Sequence, residues 1–166
     1  FKYYKNKQEL FIAVVDKFWF STQNPRNKFT ETNGTFAEFI DEYVRGVQRT
    51  MDMLGDLIGA EREKVAQGKF TYHAQYFHFL FQLLQYDPDA KEKLRNLVDG
   101  DYAYWRAAIQ RAIATGELRE DVDVEDAVVM FRQVYMGLSF EMAFMGGLNT
   151  QRLAKHLHAV YSLLKR

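Results

Sequence analysis

Phe1-Lys2-Tyr3-Tyr4-Lys5-Asn6-Lys7-Gln8-Glu9-Leu10-Phe11-Ile12-Ala13-Val14-Val15-Asp16-Lys17-Phe18 joins a basic, aromatic opening directly to an apolar helix. Three lysines and two tyrosines fall within Phe1 to Lys7. Asn6 is placed to cap a helix, and Glu9, three residues on, completes a capping-box pattern. Leu10, Phe11, Val14, Val15 and Phe18 then recur at helical spacing, which predicts one face to bury.

The helical period continues outward from this stretch. The first helix is expected from Lys7 to Gln23, where Asn24-Pro25 stops it. Residues 24–34 are polar and read as a loop. Thr35 and Glu38 form a second capping box, opening a helix with Phe36, Phe39, Ile40, Tyr43, Val47, Met51, Leu54 and Ile58 inward. A short charged helix is expected at 60–67, with Gly68 as its stop. The segment from Thr71 to Tyr86 is apolar around most of its circumference, which predicts a central helix buried on all sides. A long helix is expected from Pro88 to Thr115, ended by Gly116, and a penultimate one from Val124 to Met145, ended by Gly146-Gly147. The last runs from Asn149 or Thr150 to Leu164. The expected fold class is all-α.

Composition narrows the function. The chain has 166 residues, suiting one domain or a domain plus a stub, and 48% of them are hydrophobic, enough for a sizeable core. It has no cysteine, which excludes a disulfide scaffold and a thiolate metal site. No apolar run is long enough to span a membrane, and no membrane partner is expected. Net charge is zero, yet Phe1 to Lys28 carries six Lys/Arg against two Asp/Glu, so a basic end is joined to an acidic body. Chance asymmetry is the plain alternative.

The run Phe1-Lys2-Tyr3-Tyr4, the turn Lys5-Asn6-Lys7 and the helix start Glu9-Leu10-Phe11 resemble the end of the DNA-binding region of TetR-family regulators. A second match is Gly116-Glu117-Leu118-Arg119-Glu120-Asp121, standing before the penultimate helix as in that family. Phe1 departs from the pattern, since the family usually has a tyrosine whose hydroxyl can reach phosphate. The resemblance implies that residues 1–6 are the remnant of a helix-turn-helix domain, the rest of which is expected upstream. It implies that residues 7–166 form a helical ligand-binding and dimerisation domain. Phe1, Lys2, Tyr3 and Lys7 are then the candidate contacts to operator DNA, mainly to its phosphates. The plain alternative is a solvated basic terminus.

The resemblance further implies an effector pocket among the first, second, central and long helices. Met51, Tyr76, Phe77, Leu80, Tyr102, Trp105 and Ile109 are its candidate walls, with ordinary core packing as the alternative. It also implies a homodimer joined as a four-helix bundle by the long and penultimate helices. The penultimate helix has more apolar residues than one small core needs, so a seam is expected on Phe131, Tyr135, Leu138 and Met142, with Tyr104 and Arg111 from the helix before. A deeply buried helix is the alternative. The implied mechanism is a switch. An effector tilts the first helix and changes the spacing of two DNA-reading ends, which must lie about one helical turn, ~34–36 Å, apart on a palindrome.

Catalysis finds little support. His73 and His78 lie about 140° apart on a helix, and His156 and His158 also face different ways. No Glu-x-x-His pair, nucleophile elbow or phosphate loop occurs. The expectation is a cytoplasmic, bacterial, non-enzymatic regulator without cofactor or metal, acting as a repressor. A dimeric helical adaptor without DNA function and a small helical-bundle enzyme are the rival readings.

Overall fold

Asn6 Oδ1 accepts the backbone N–H of Glu9 at 2.8 Å, and Glu9 Oε2 accepts that of Lys5 at 2.8 Å. This reciprocal cap starts α1, which runs over Lys7–Val14, widens into a π-helical segment over Val15–Phe20, and ends at Ser21–Gln23. In a computed structural model of the chain, the structure describes residues 3–29, 34–57 and 72–166. The further helices are α2 (Phe36–Leu57), α3 (Tyr72–Tyr86), α4 (Ala90–Ala114), α5 (Val124–Ala143) and α6 (Thr150–Leu164). Among the described residues no strand forms beyond one bridge between Leu118 and Lys165, and the fold is all-α. The helix expected at 60–67 lies outside the described residues.

Most boundaries fall within two residues of their expected places, and the caps explain why. Thr35 Oγ1 accepts the N–H of Glu38 at 3.2 Å while Glu38 Oε2 accepts that of Thr35 at 2.8 Å, the anticipated box. Asp123 and Asn149 cap α5 and α6 from one side only, each side-chain oxygen accepting the N–H three residues on. Gly116 ends α4 with φ +77°, a conformation open to glycine at little cost. Pro88 does not open α4; Asp89 precedes its first residue, Ala90.

Three expectations about burial need correction. On α1 the inward stripe is Phe11, Val15 and Trp19, whereas Val14 and Phe18 are exposed. Trp19 carries more apolar surface than either, and its burial fixes the rotation of the helix. Next, α3 is not buried all round: Phe81, Leu84 and Tyr86 are exposed while Leu83 is fully buried. Finally, 24–29 is no solvated loop. Pro25–Asn27 forms a 3₁₀ turn, and the two residues that follow, Lys28 and Phe29, are buried.

That turn lies between α2 and α4, and each helix has a glycine where it passes. A Cβ on Gly46 would fall on the Lys28 carbonyl and lie 2.5 Å from its Cα. A Cβ on Gly100 would lie 2.8 Å from Pro25 Cγ. The main core joins α2, α4, α5 and α6 around Trp105, whose ring stacks on Phe131 at 4.9 Å; Phe29 joins it and stacks on Tyr104 at 4.7 Å. A smaller core joins α1, α3 and the start of α4 around Trp19 and Leu83.

Candidate functional site

The two cores do not merge, and a cavity occupies their junction. Its walls come from the end of α1 (Gln23), from α2 (Val47, Thr50, Met51), from α3 (Tyr76, Phe77) and from α5 (Tyr135, Met136, Ser139). The empty space is about 320 Å³ including its open mouth, but its enclosed part is narrow. That is room for about one water, so a bulkier occupant must push side chains aside. Methionine suits this, being unbranched and easily repacked.

Polar groups gather behind the walls. Lys28, Asp101 and Arg132 are buried, at 4%, 3% and 8% exposure. Lys28 Nζ lies 3.9 Å and Arg132 Nε 3.5 Å from Asp101 Oδ2. Neither distance makes a hydrogen bond, and Asp101 Oδ1, Arg132 Nε and Arg132 Nη1 have no hydrogen-bond partner. Both cations also lie over the Tyr135 ring, Arg132 at 5.4 Å and Lys28 at 5.7 Å from its centroid. Tyr43 Oη and Ser139 Oγ are likewise buried without a partner. Burial pushes the phenols of Tyr43 and Tyr76 well above their ordinary range, with the Tyr135 phenol adding to both, so both rings are neutral near pH 7.

The cavity is tied mechanically to α1. Asn27 Nδ2 donates to the carbonyls of Ser21 and Thr22 at 2.9 and 2.8 Å, locking the end of α1 to the turn that carries Lys28. Farther up, Lys93 Nζ reaches Asp16 and Asp87 at 2.8 Å each, bridging the π-helical segment to the start of α4. Gln8 Nε2 donates to the Tyr86 carbonyl at 2.6 Å.

Of the expected pocket residues, Met51, Tyr76 and Phe77 meet at this cavity. Leu80 packs in the smaller core and Tyr102 against the main one. Trp105 and Ile109 are fully buried in the main core and are not among this cavity's walls. Among the seam candidates, Phe131, Leu138 and Met142 are buried within the chain's own core, Phe131 fully. Tyr135 is a cavity wall instead. Tyr104 is stacked on Phe29, and Arg111 is exposed on α4. The surplus apolar surface of α5 is elsewhere: Val129 and Phe140 are exposed and Phe144, just past its end, is 71% exposed. They share a stripe with Gly137, around which a Cβ would meet nothing within 4 Å.

Tyr3 is 90% exposed and Lys7 is exposed, as a nucleic-acid contact requires; Phe1 and Lys2 lie outside the described residues. Lys28 does not belong to the basic end, being buried. Among the described residues no group of three His, Asp or Glu side chains is placed to hold a metal ion, and no helix is long and apolar enough to cross a membrane.

Sequence reading missed Gln23, Val47, Thr50, Met136 and Ser139 as walls, and Lys28, Asp101 and Arg132 as buried charge. A signal existed for one: between Ala127 and Leu148 the only charged residues are Arg132 and Glu141. A model of the family described as "Tetracyclin repressor-like, C-terminal domain" matches residues 47–157, about two thirds of the chain. No curated protein and no solved structure matches it.

Proposed function

We propose, from the premise that this chain belongs to the family of tetracyclin repressor-like C-terminal domains, that it is the effector-binding and dimerising part of a DNA-binding repressor. The observation that carries the reading is the cavity between the two cores, because α1, α2, α3 and α5 all border it. An occupant that widens the cavity bears on Gln23 at the end of α1. At its other end α1 continues into the exposed, basic Tyr3 to Lys7 segment, which this reading sets against DNA. An effector that binds the widened form more tightly shifts the population toward it, by no more than that difference in affinity. The DNA-reading ends of two copies then move off register.

The dimer seam of this reading is the exposed stripe Val129, Gln133, Gly137, Phe140 and Phe144. Gly137 lets a symmetry-related helix approach closely there.

The test uses the intact regulator, a DNA fragment from its own promoter region, and the neutral dye N-phenyl-1-naphthylamine as a cavity probe. The dimeric protein is expected to shift the fragment and to take up the dye. Met51→Trp, which fills the cavity, is expected to abolish dye uptake and leave the DNA shift. A protein that shifts no fragment, or whose dye uptake ignores Met51→Trp, would sink this reading in favour of the adaptor.

A further inference from the structure

Behind the cavity two buried cations face one buried carboxylate. Among the described residues no other buried charge neighbours Lys28, Asp101 and Arg132, so the cluster has one positive charge in surplus. The phenols beside it stay protonated and do not neutralise it. A buried guanidinium that shares its one carboxylate with Lys28 and leaves two nitrogens without a hydrogen bond is costly, and such groups ordinarily have a water, ion or ligand to complete them. Tyr135 connects this charge to the cavity, since its ring borders the empty space and lies within 5.4 and 5.7 Å of the two cations. Ser139, which is 2% exposed and unpartnered at Oγ, lines the same cavity.

Charge decides among ligand classes. A cationic ligand would add to the surplus, and a neutral one would leave it. A phosphate monoester, near two negative charges, would overshoot it between apolar walls. We infer that the cavity takes an organic monoanion, its carboxylate head drawn past Tyr135 to Arg132 and Lys28, with Ser139 donating, and its apolar body against Met51, Phe77 and Met136. This rests on the proposed effector cavity and names the chemistry of its occupant. Guanidinium is suited to the head because its planar fork matches a carboxylate with two parallel donors.

The test measures binding of hexanoate, octanoate and phenylacetate to the chain at pH 7 by calorimetry, each beside its own primary amide. At least one acid is expected to bind roughly tenfold more tightly than its amide, a difference of about 1.4 kcal/mol. Arg132→Gln is expected to erase that preference, and Ser139→Ala to weaken the acid by about threefold. Met51→Trp should block acid and amide alike. If acid and amide bind equally and Met51→Trp blocks both, the anion inference is overturned while the cavity reading stands; if none of the six binds, both fall. A second measurement needs no ligand. Arg132→Met leaves Lys28 and Asp101 as a neutral pair, so the melting temperature is expected to rise. A fall of several degrees would make Arg132 a structural partner of Asp101 and overturn the inference.

Discussion

The backbone N–H of Phe36 donates to Glu117 Oε2 at 2.8 Å, across 81 positions of sequence. Glu117 Oε1 takes the N–H of Ala37 at 3.3 Å and the hydroxyl of Tyr161 at 2.9 Å. One carboxylate from the α4–α5 connection thus completes the start of α2 and holds α6 to it. Negative charge there also opposes the positive end of the helix. Glu117→Ala is expected to cost about 2–3 kcal/mol, lowering the melting temperature by about 4–12 °C. Glu117→Gln, which keeps one acceptor oxygen, should lose about half as much. Urea unfolding of the three proteins checks both, and an unchanged Glu117→Ala midpoint would refute the cap.

The two glycines around the 25–29 turn are not equivalent. At Gly46 a methyl group meets backbone, while at Gly100 it meets a proline ring edge. Gly46→Ala is expected to destabilise by about 3 kcal/mol, since neither α2 nor the Lys28 carbonyl can move cheaply. Gly100→Ala should cost about 1 kcal/mol or less, offset by the better helix propensity of alanine. Equal effects in thermal melts would contradict the close packing at Lys28.

Surface and core residues of α5 separate dimerisation from stability. On the proposed seam, Phe140→Asp is expected to give a folded monomer where the unaltered chain pairs, because Phe140 is exposed in the single chain. Phe131→Ala should instead cost about 3–5 kcal/mol of stability, since its ring stacks on Trp105 inside the core. Light scattering after size exclusion, with melts of the same samples, distinguishes the two. A Phe140→Asp protein that stays dimeric would move the seam elsewhere.

Alkaline pH should destabilise the chain through two tyrosines and a lysine. Burial raises Tyr43, and burial with the Glu117 hydrogen bond raises Tyr161. Lys93 is also raised: burial alone would lower it, but its hydrogen bonds to Asp16 and Asp87 outweigh that. Each folded group therefore holds its proton above the unfolded value, near pH 10 for both residue types. Their contributions are complete below about pH 10 and are lost as pH climbs through the raised values. Melts recorded between pH 8 and 12 should be flat up to about pH 10 and fall above it. Tyr43→Phe deletes a buried hydroxyl with no partner, so it should raise stability at pH 7 by about 1 kcal/mol and make the alkaline fall shallower. A destabilised Tyr43→Phe would show that the hydroxyl has an unrecognised partner.

Helix existence was legible because periodicity and caps are local. Asn6 with Glu9, Thr35 with Glu38, and Gly116 each announce a boundary from within a few residues. Facing was less legible. Phe131 and Leu138 read equally well as seam or core, and only the position of Trp105, from another helix, assigns them to the core. The cavity was half legible: Met51, Tyr76 and Phe77 were expected as adaptable aromatic and methionine walls in a region the resemblance implied, but Ser139 and Gln23 are polar residues whose meaning depends on what stands opposite. Asp101 was legible in retrospect, being four residues before Trp105 on the same buried face. The hidden charge of Lys28 was not, because a lysine after a polar turn ordinarily faces water.

The Glu117 cap also orders events in time. A ribosome adding roughly 5–20 residues per second makes α2 about 4–16 s before the 81-position gap to its carboxylate is closed. Until then two N–H groups of α2 lack their acceptor, and Phe36 and Phe39 await the rings of Trp105 and Phe131 that will cover them. The nascent chain therefore presents an aromatic helix to its surroundings for seconds before its own C-terminal half can enclose it, an interval in which chaperones compete with folding.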